Sequence, residues 1–401
     1  MIASIVPFAA LVTLADAPYR MDAEVPPRPL FEYDAASSGH DADEALVAPL
    51  LQRQRDVGTG TTVFVNFDGV DLGNCNPSNA KRNCHWYNND SPFEPFSGTD
   101  QVKVSVLQAM RRKVSELGIR VTGVRPPDTE DYTMVVYGGT EAEYGALGSA
   151  PAGDCLDQRP NEIVFAHLDG DLAGWINGGA TTALHEAAHS WGLDHIDVRG
   201  GIMFPSGDDN PTAFRMGCDQ VVANTTLTPG DPSCPTVNSM FCPSPDQQDA
   251  TRILTHLFGP PYVDVTPPSV ALVTPRDGEY FQAPASFEVV FDIEDDLHPQ
   301  AYTMFAWLND DERPSEGTPT IHPGFSIKDL PVGEWDVHVV VADTARNETR
   351  IDFSVVVGDD PPPDPAEQGC SVARDVSGNS AARWLCLMVL VTSVVRRRRT
   401  G

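Results

Sequence analysis

The run His185-Glu186-Ala187-Ala188-His189-Ser190-Trp191-Gly192-Leu193-Asp194-His195 holds three imidazoles and a carboxylate at spacings that suit an open zinc site. On a helix, His185 and His189 stand four residues apart, so their rings leave one face about a turn from each other. Two imidazoles so placed can share one metal ion. Glu186 is rotated by roughly 100° from His185 and falls beside such an ion rather than on it. A carboxylate there can take a proton from a metal-bound water and return it to a leaving amine. Gly192 lets the chain leave the helix through a backbone conformation that residues with a Cβ resist. The turn then brings His195 back as third ligand. Three protein ligands leave the fourth tetrahedral position to water, as in a catalytic rather than a structural zinc. The bare His-Glu-x-x-His pentad should arise by chance in about one such chain in a hundred, and the added Gly192 and His195 lower that to roughly a few in a hundred thousand.

These residues resemble the extended motif of the metzincin clan of zinc endopeptidases, His-Glu-x-x-His-x-x-Gly-x-x-His followed by a methionine-containing turn. Gly200-Gly201-Ile202-Met203-Phe204-Pro205-Ser206 looks like that turn, with Met203 as the residue beneath the metal. Ile196 follows the third histidine, where better-known subfamilies carry an acidic, serine or proline residue. No tyrosine stands two residues after Met203. The resemblance is therefore to the clan and not to one subfamily. It implies His185, His189 and His195 as zinc ligands, Glu186 as general base and acid, and a polypeptide substrate.

The elements that must position this motif can be read from periodicity. Thr61 to Phe67 is a β-branched and aromatic run ended by Asp68-Gly69, a strand and a turn. Asp100 caps a helix through Leu117, with Val102, Val106, Ala109, Met110, Val114 and Leu117 at helical spacing and Gly118 as its stop. Short strands follow at Ile119 to Val124, Tyr132 to Tyr137 and Glu162 to His167. An alanine-rich zinc helix then spans Ala180 to Trp191, with Leu184 and Trp191 on the face away from the histidines. Pro245 to Phe258 forms a closing helix. This order predicts a twisted mixed sheet with a helix packed beneath it, which is also the order expected of a metzincin catalytic domain over residues 58–260. A substrate-binding sheet edge is expected between Gly138 and Cys155.

From Val265 the pattern changes to period two. Phe287, Val289, Phe291 and Ile293 alternate with Glu288, Val290 and Asp292. Trp335, Val337, Val339 and Val341 do likewise, as do Ile351, Phe353 and Val355. Such runs between Pro and Gly turns predict an antiparallel β-sandwich over 265–358, resembling bacterial immunoglobulin-like modules. The fold class expected for the whole chain is thus α+β/mixed: a metzincin-like domain followed by a sandwich. Asp292, Glu294, Asp295 and Asp296 at a strand end make Ca2+ a second candidate cofactor, weighed against an ordinary solvated turn. The same choice applies to Asp169-Gly170-Asp171.

The 401 residues carry a net charge of −30, which argues against a nucleic-acid partner because phosphate binding relies on Lys and Arg. Six of eight cysteines lie between Cys75 and Cys242 and suit disulfides in an oxidising compartment. Their spacing suggests Cys75 with Cys84, Cys234 with Cys242, and Cys155 with Cys218. Residues 1–17 read as an export signal, with an apolar run to Leu14 and Ala15-Asp16-Ala17 as the cleavage pattern. Residues 18–57 are a spacer or propeptide. Residues 359–369 are a Pro-rich linker. In 370–401, an apolar run from Trp384 to Val395 precedes Arg396 to Arg399. That run is shorter than the ~20 residues of a comfortable span, and the arginines would hold the end cytoplasmic. The arrangement resembles the C-terminal sorting tail of myxobacterial surface proteins, which implies processing near Cys370 and transient membrane association. The reading overall is a secreted or cell-surface zinc endopeptidase. The alternative is a surface adhesin that binds through the sandwich and carries a non-proteolytic zinc domain, against which stands the intact Glu186.

Overall fold

The computed structural model describes residues 58–86, 92–140, 144–151, 153–207, 212–321 and 323–360, together with the backbone of 28–29. The expected export signal, most of the spacer, nearly all of the Pro-rich linker, and the tail with Cys370 lie outside the described residues. Arg28–Pro29 pairs antiparallel with Ser206–Gly207, just after the methionine turn.

The chain is a mixed α+β protein. A five-stranded sheet is built from β1 (Thr61–Asn66), β2 (Ile119–Thr122), β3 (Tyr132–Tyr137), β4 (Gly148–Ser149) and β5 (Ile163–Ala166), in the order β2-β1-β3-β5-β4. All neighbours are parallel except β4, which runs antiparallel to β5 along the outer edge. Both faces of the central strands are covered, which explains their nearly unbroken apolar sequence. Val63, Val65, Val135, Tyr137, Val164 and Ala166 point to the helices. Phe64, Met134, Val136, Ile163 and Phe165 point to a layer of loops around Val70, Leu72, Ala80 and Phe93.

Two helices pack against the first face: α1 (Asp100–Lys113) and α2 (Ile176–Ser190). The helix expected to run from an Asp100 cap to Leu117 differs at both ends. Thr99 is the cap, its hydroxyl accepting from Val102 N, and the helix closes at Lys113. Gly118, expected as the helix stop, instead allows a close approach to the closing helix, since a Cβ there would stand 2.0 Å from the carbonyl oxygen of Phe258. Helix α2 starts a turn before the expected Ala180. Two shorter helices, α3 (Pro235–Phe241) and α4 (Ala250–Phe258), close this part. Helix α4 starts five residues later than expected because Asp249 caps it, accepting from Arg252 N at 2.9 Å.

Three disulfides join Cys75–Cys84, Cys155–Cys234 and Cys218–Cys242. The first is as expected and the other two correct the expected pairing. Spacing favoured a short Cys234–Cys242 loop, but α3 lies between those residues and points them to different neighbours.

From residue 269 onward the strands are β6 (Ser269–Thr274), β7 (Glu279–Gln282), β8 (Ala285–Glu294), β9 (Tyr302–Leu308), β10 (Thr318–Thr320), β11 (Gly324–Leu330), β12 (Gly333–Ala342) and β13 (Glu348–Gly358). They form a sheet β6-β8-β11 and a sheet β7-β13-β12-β9-β10. One core lies between them, with Val289, Phe291 and Ile327 meeting Met304, Val337, Val339 and Val355. Pairing is antiparallel except for β7 with β13, which is parallel. This stack rests on α1. Arg111 of α1 is buried, donating to the carbonyls of His298 at 3.4 Å and Pro299 at 2.9 Å and to the Thr344 hydroxyl at 3.2 Å. Gln108 donates to Thr303 at 3.2 Å.

Candidate metal centre and cleft

His185 and His189 leave α2 on one face, as their spacing requires. After Ser190 the helix ends in a turn in which Gly192 N donates to His189 O and Leu193 N to Ala188 O, both at 3.0 Å. This bonding closes a helix through a left-handed residue, and Gly192 has φ +95°. The site is also tight. A Cβ on Gly192 would stand 3.0 Å from both Asp154 O and Cys234 Sγ. The Cys155–Cys234 disulfide therefore packs on the turn that returns His195.

The segment carrying His195 is held on both sides. Gln248 grips the Asp194 peptide, accepting from its N–H at 2.8 Å and donating to its carbonyl at 2.9 Å. The Asp194 carboxylate accepts from Ser233 N at 2.9 Å and Ser233 Oγ at 2.5 Å. Ile196 N donates to Met203 O, and Val222 N to His195 O. Met203 is buried in the core under this turn.

The three Nε2 atoms converge, at 2.9 Å (His185 to His189), 3.1 Å (His185 to His195) and 3.2 Å (His189 to His195). The opposite ring nitrogens fix the tautomers. His185 Nδ1 lies 2.7 Å from Ile202 O, and His189 Nδ1 lies 2.7 Å from Leu193 O. A carbonyl only accepts, so each Nδ1 carries hydrogen and each neutral Nε2 presents a lone pair. His195 is hydrogen-bonded by the backbone of Ala223. Burial keeps the rings neutral: it lowers His189 to about 4, His195 to about 3, and His185 well below its ordinary value. Lone pairs facing one another at about 3 Å repel unless a cation lies among them. The donor set fits one small divalent ion with Zn–N bonds of about 2.0–2.1 Å.

Glu186 is buried, and its Oε1 makes no hydrogen bond. Burial raises its pKa well above the ordinary value, and a divalent charge beside it would act in the opposite sense. Its carboxylate lies against edge strand β4, where a Cβ on Gly148 would stand 2.5 Å from Glu186 Oε1. A cleft of about 440 Å³ opens over Glu186, His189 and His195, walled by Ala150 and Pro151 on one side and Val222 and Ala223 on the other.

The structure thus brings together His185, Glu186, His189, His195, Gly192 and Met203. Four further contributors were not legible in the motif: Gly148, Gln248 and the carbonyls of Ile202 and Leu193. A backbone oxygen has no sequence signature, and Gly148 matters only because another element meets it. The acidic run weighed as a calcium candidate against a solvated turn does not converge on one point. Asp292, Glu294 and Asp296 are exposed, and only Asp295 turns inward. Asp169 caps the turn after β5, accepting from Gly170 N and Ser97 N.

No family profile matches this sequence, and no curated protein matches it. Among solved structures, the fibronectin(III)-like modules of Clostridium thermocellum CbhA are similar at 15% identity over 23% of this chain and 98% of that one, with a TM-score of 0.19. The PKD domain of an M14-like peptidase from a Thermoplasmatales archaeon is similar at 15% identity over 23% of this chain and 92% of that one, with a TM-score of 0.18. OgpA from Akkermansia muciniphila is similar over 76% of this chain and 94% of that one, at 11% identity and a TM-score of 0.17. Likenesses at this level carry no argument about activity. Among the described residues, no helix is long and apolar enough to cross a membrane.

Proposed function

We propose that this chain is an exported, zinc-dependent endopeptidase of metzincin type whose substrate is a polypeptide. The observation that carries the reading is the convergence of three Nε2 lone pairs beside the buried carboxylate of Glu186, at the floor of a cleft bordered by a sheet edge. A zinc ion, when bound, supplies a polarised carbonyl and a more acidic water. His185, His189 and His195 hold it as neutral imidazoles, each oriented by a backbone group. Glu186 takes the proton from the attacking water and delivers it to the leaving nitrogen. An extended peptide adds beside β4, bonding through its backbone, with Gly148 leaving room for the carboxylate. Ala183, Leu184 and Ala187 bury the opposite side of α2 in the core, which backs the ligand helix.

Export is supported by the three disulfides, which persist in oxidising compartments. We extend the proposal to display at the cell surface through the tail around Cys370, and to a binding or spacing role for the immunoglobulin-like stack.

Incubation of the purified full chain with casein tests the reading. Cleavage is expected, to be abolished by a chelator and restored by zinc. Glu186→Gln should keep the same zinc content as the unaltered chain by elemental analysis and lose about 10²–10⁴-fold in rate. Cleavage by the Gln variant at the parental rate would show that Glu186 is not the general base.

A further inference from the structure

A second group of ligand atoms converges where the two parts of the chain join. Asp264 comes from the connection between α4 and β6, and Asp295 and His298 from the loop after β8. Their side-chain ligand atoms all lie within 4.8 Å of one another. In each carboxylate one oxygen is already used by the protein. Asp264 Oδ1 accepts from Thr266 N and Asn347 Nδ2, both at 3.1 Å. Asp295 Oδ1 accepts from Leu297 N at 3.1 Å and His298 N at 2.5 Å. The other oxygens, Asp264 Oδ2 and Asp295 Oδ2, are buried without a hydrogen-bond partner, and so is His298 Nδ1. The Asp264 side chain is only 2% exposed. His298 Nδ1 and Asp264 Oδ2 lie 2.5 Å apart, at ion-pair distance but off hydrogen-bond geometry. Buried polar atoms left in this state are costly unless something binds them.

The charge balance points the same way. Asp343 is buried beside this group, its two oxygens taken by Asn347 N and Nδ2. Arg111 is the buried cation of this region, but its donors go to the carbonyls of Val121, His298 and Pro299 and to the Thr344 hydroxyl, not to a carboxylate. Three carboxylates thus face one guanidinium that none of them contacts directly.

We propose that Asp264 Oδ2, Asp295 Oδ2 and His298 Nδ1 form a second divalent-metal site that fastens the connecting segment to the β-stack. One imidazole nitrogen with two carboxylate oxygens suits a borderline ion such as zinc. Calcium, which takes six to eight oxygen ligands, is the poorer match. The site stands apart from the histidine centre and does not depend on the peptidase reading.

Metal counting on the full chain tests it. Glu186→Gln protein is saturated with zinc, desalted and measured by mass spectrometry of the metal against protein concentration. Two equivalents are expected. The further change Asp264→Asn with His298→Gln should leave one equivalent, and that retained equivalent reports an intact histidine centre. His298→Gln alone, on a partly exposed loop, is the milder variant and should weaken the second equivalent by about tenfold or more in a chelator competition. Zinc should also raise the unfolding temperature more in the parent than in the double variant. An equal zinc count in the parent and the double variant, or the same competition curve for His298→Gln, would overturn the site and leave an ordinary His–Asp contact; one equivalent in the parent and none in the double variant would keep it and sink the histidine centre instead. Displacement of the second zinc by excess calcium would overturn the ion assignment.

Discussion

Glu162 is the residue whose chemistry the peptidase reading leaves unused. It is buried just before β5, with Arg159 Nε 3.3 Å from its Oε1. Burial raises its pKa to about 8; Arg159 opposes the rise, and Asp154 and Asp157 add to it. The folded state therefore holds this proton more tightly than the unfolded chain does. Its contribution to stability is fully present below the ordinary value of 4.5 and is lost as pH rises through about 8. Glu162→Gln keeps the shape without the charge. Between pH 4.5 and 8 its stability should rise relative to the parent by a few kcal/mol, since each tenfold difference in proton affinity between the folded and unfolded states is worth about 1.4 kcal/mol. Urea unfolding at the two pH values checks this, and an unchanged gap between the proteins would refute it.

Among the elements, the turn after α2 couples stability to metal binding. Gly192 and Gly200 both have left-handed backbones, at φ +95° and +81°. Only Gly192 is crowded; a Cβ on Gly200 would meet nothing within 4 Å. Gly192→Ala should therefore cost more than the roughly 1–3 kcal/mol of backbone strain alone and should also weaken zinc binding, because this turn aims His195. Gly200→Ala should show the strain and leave zinc affinity nearly unchanged. Thermal unfolding together with chelator competition separates the two, and equal loss of zinc in both variants would remove the special role of the Gly192 turn. The motif made α2 and this turn legible, since helix period and a glycine stop are local properties. The ends of α1 and α4 were less so: Thr99 and Asp249 compete with neighbouring residues as caps, and only the observed side-chain bonds decide between them.

At the scale of the whole molecule, the β-stack is not merely tethered. The described residues from 58 to 360 fall in one compact unit, and Ala301 of the stack lies in the same hydrophobic cluster as α1 and α2. Removal of residues 265–401 would strip Arg111 of its acceptors on His298, Pro299 and Thr344. Hydrogen bonds to a charged group are worth about 1.5–3 kcal/mol each, but the freed guanidinium would be rehydrated. The truncated protein should keep its histidine zinc yet lose roughly 2–3 kcal/mol of stability, with Arg111→Gln in the full chain losing a similar amount. Denaturant titration of both proteins measures this; a truncated form as stable as the parent would show the contact to be incidental.

What the sequence determined by itself was the chemistry whose geometry is local. His185, Glu186, His189, Gly192 and His195 lie within eleven residues, so the 3.6-residue period and one glycine turn place them. Period-two alternation likewise marked the strands at Phe287–Ile293, Trp335–Val341 and Ile351–Val355, because each is buried on one face. The tertiary structure decided everything that depends on distant segments meeting. It paired Cys155 with Cys234, placed Gly148 against Glu186, and set Gln248 on the peptide before His195. It turned Asp295 inward, away from its acidic neighbours, toward Asp264 and His298. Most of these contacts join residues separated by tens of positions, and their partners are chosen by the packing of whole sheets and helices, which no local pattern encodes.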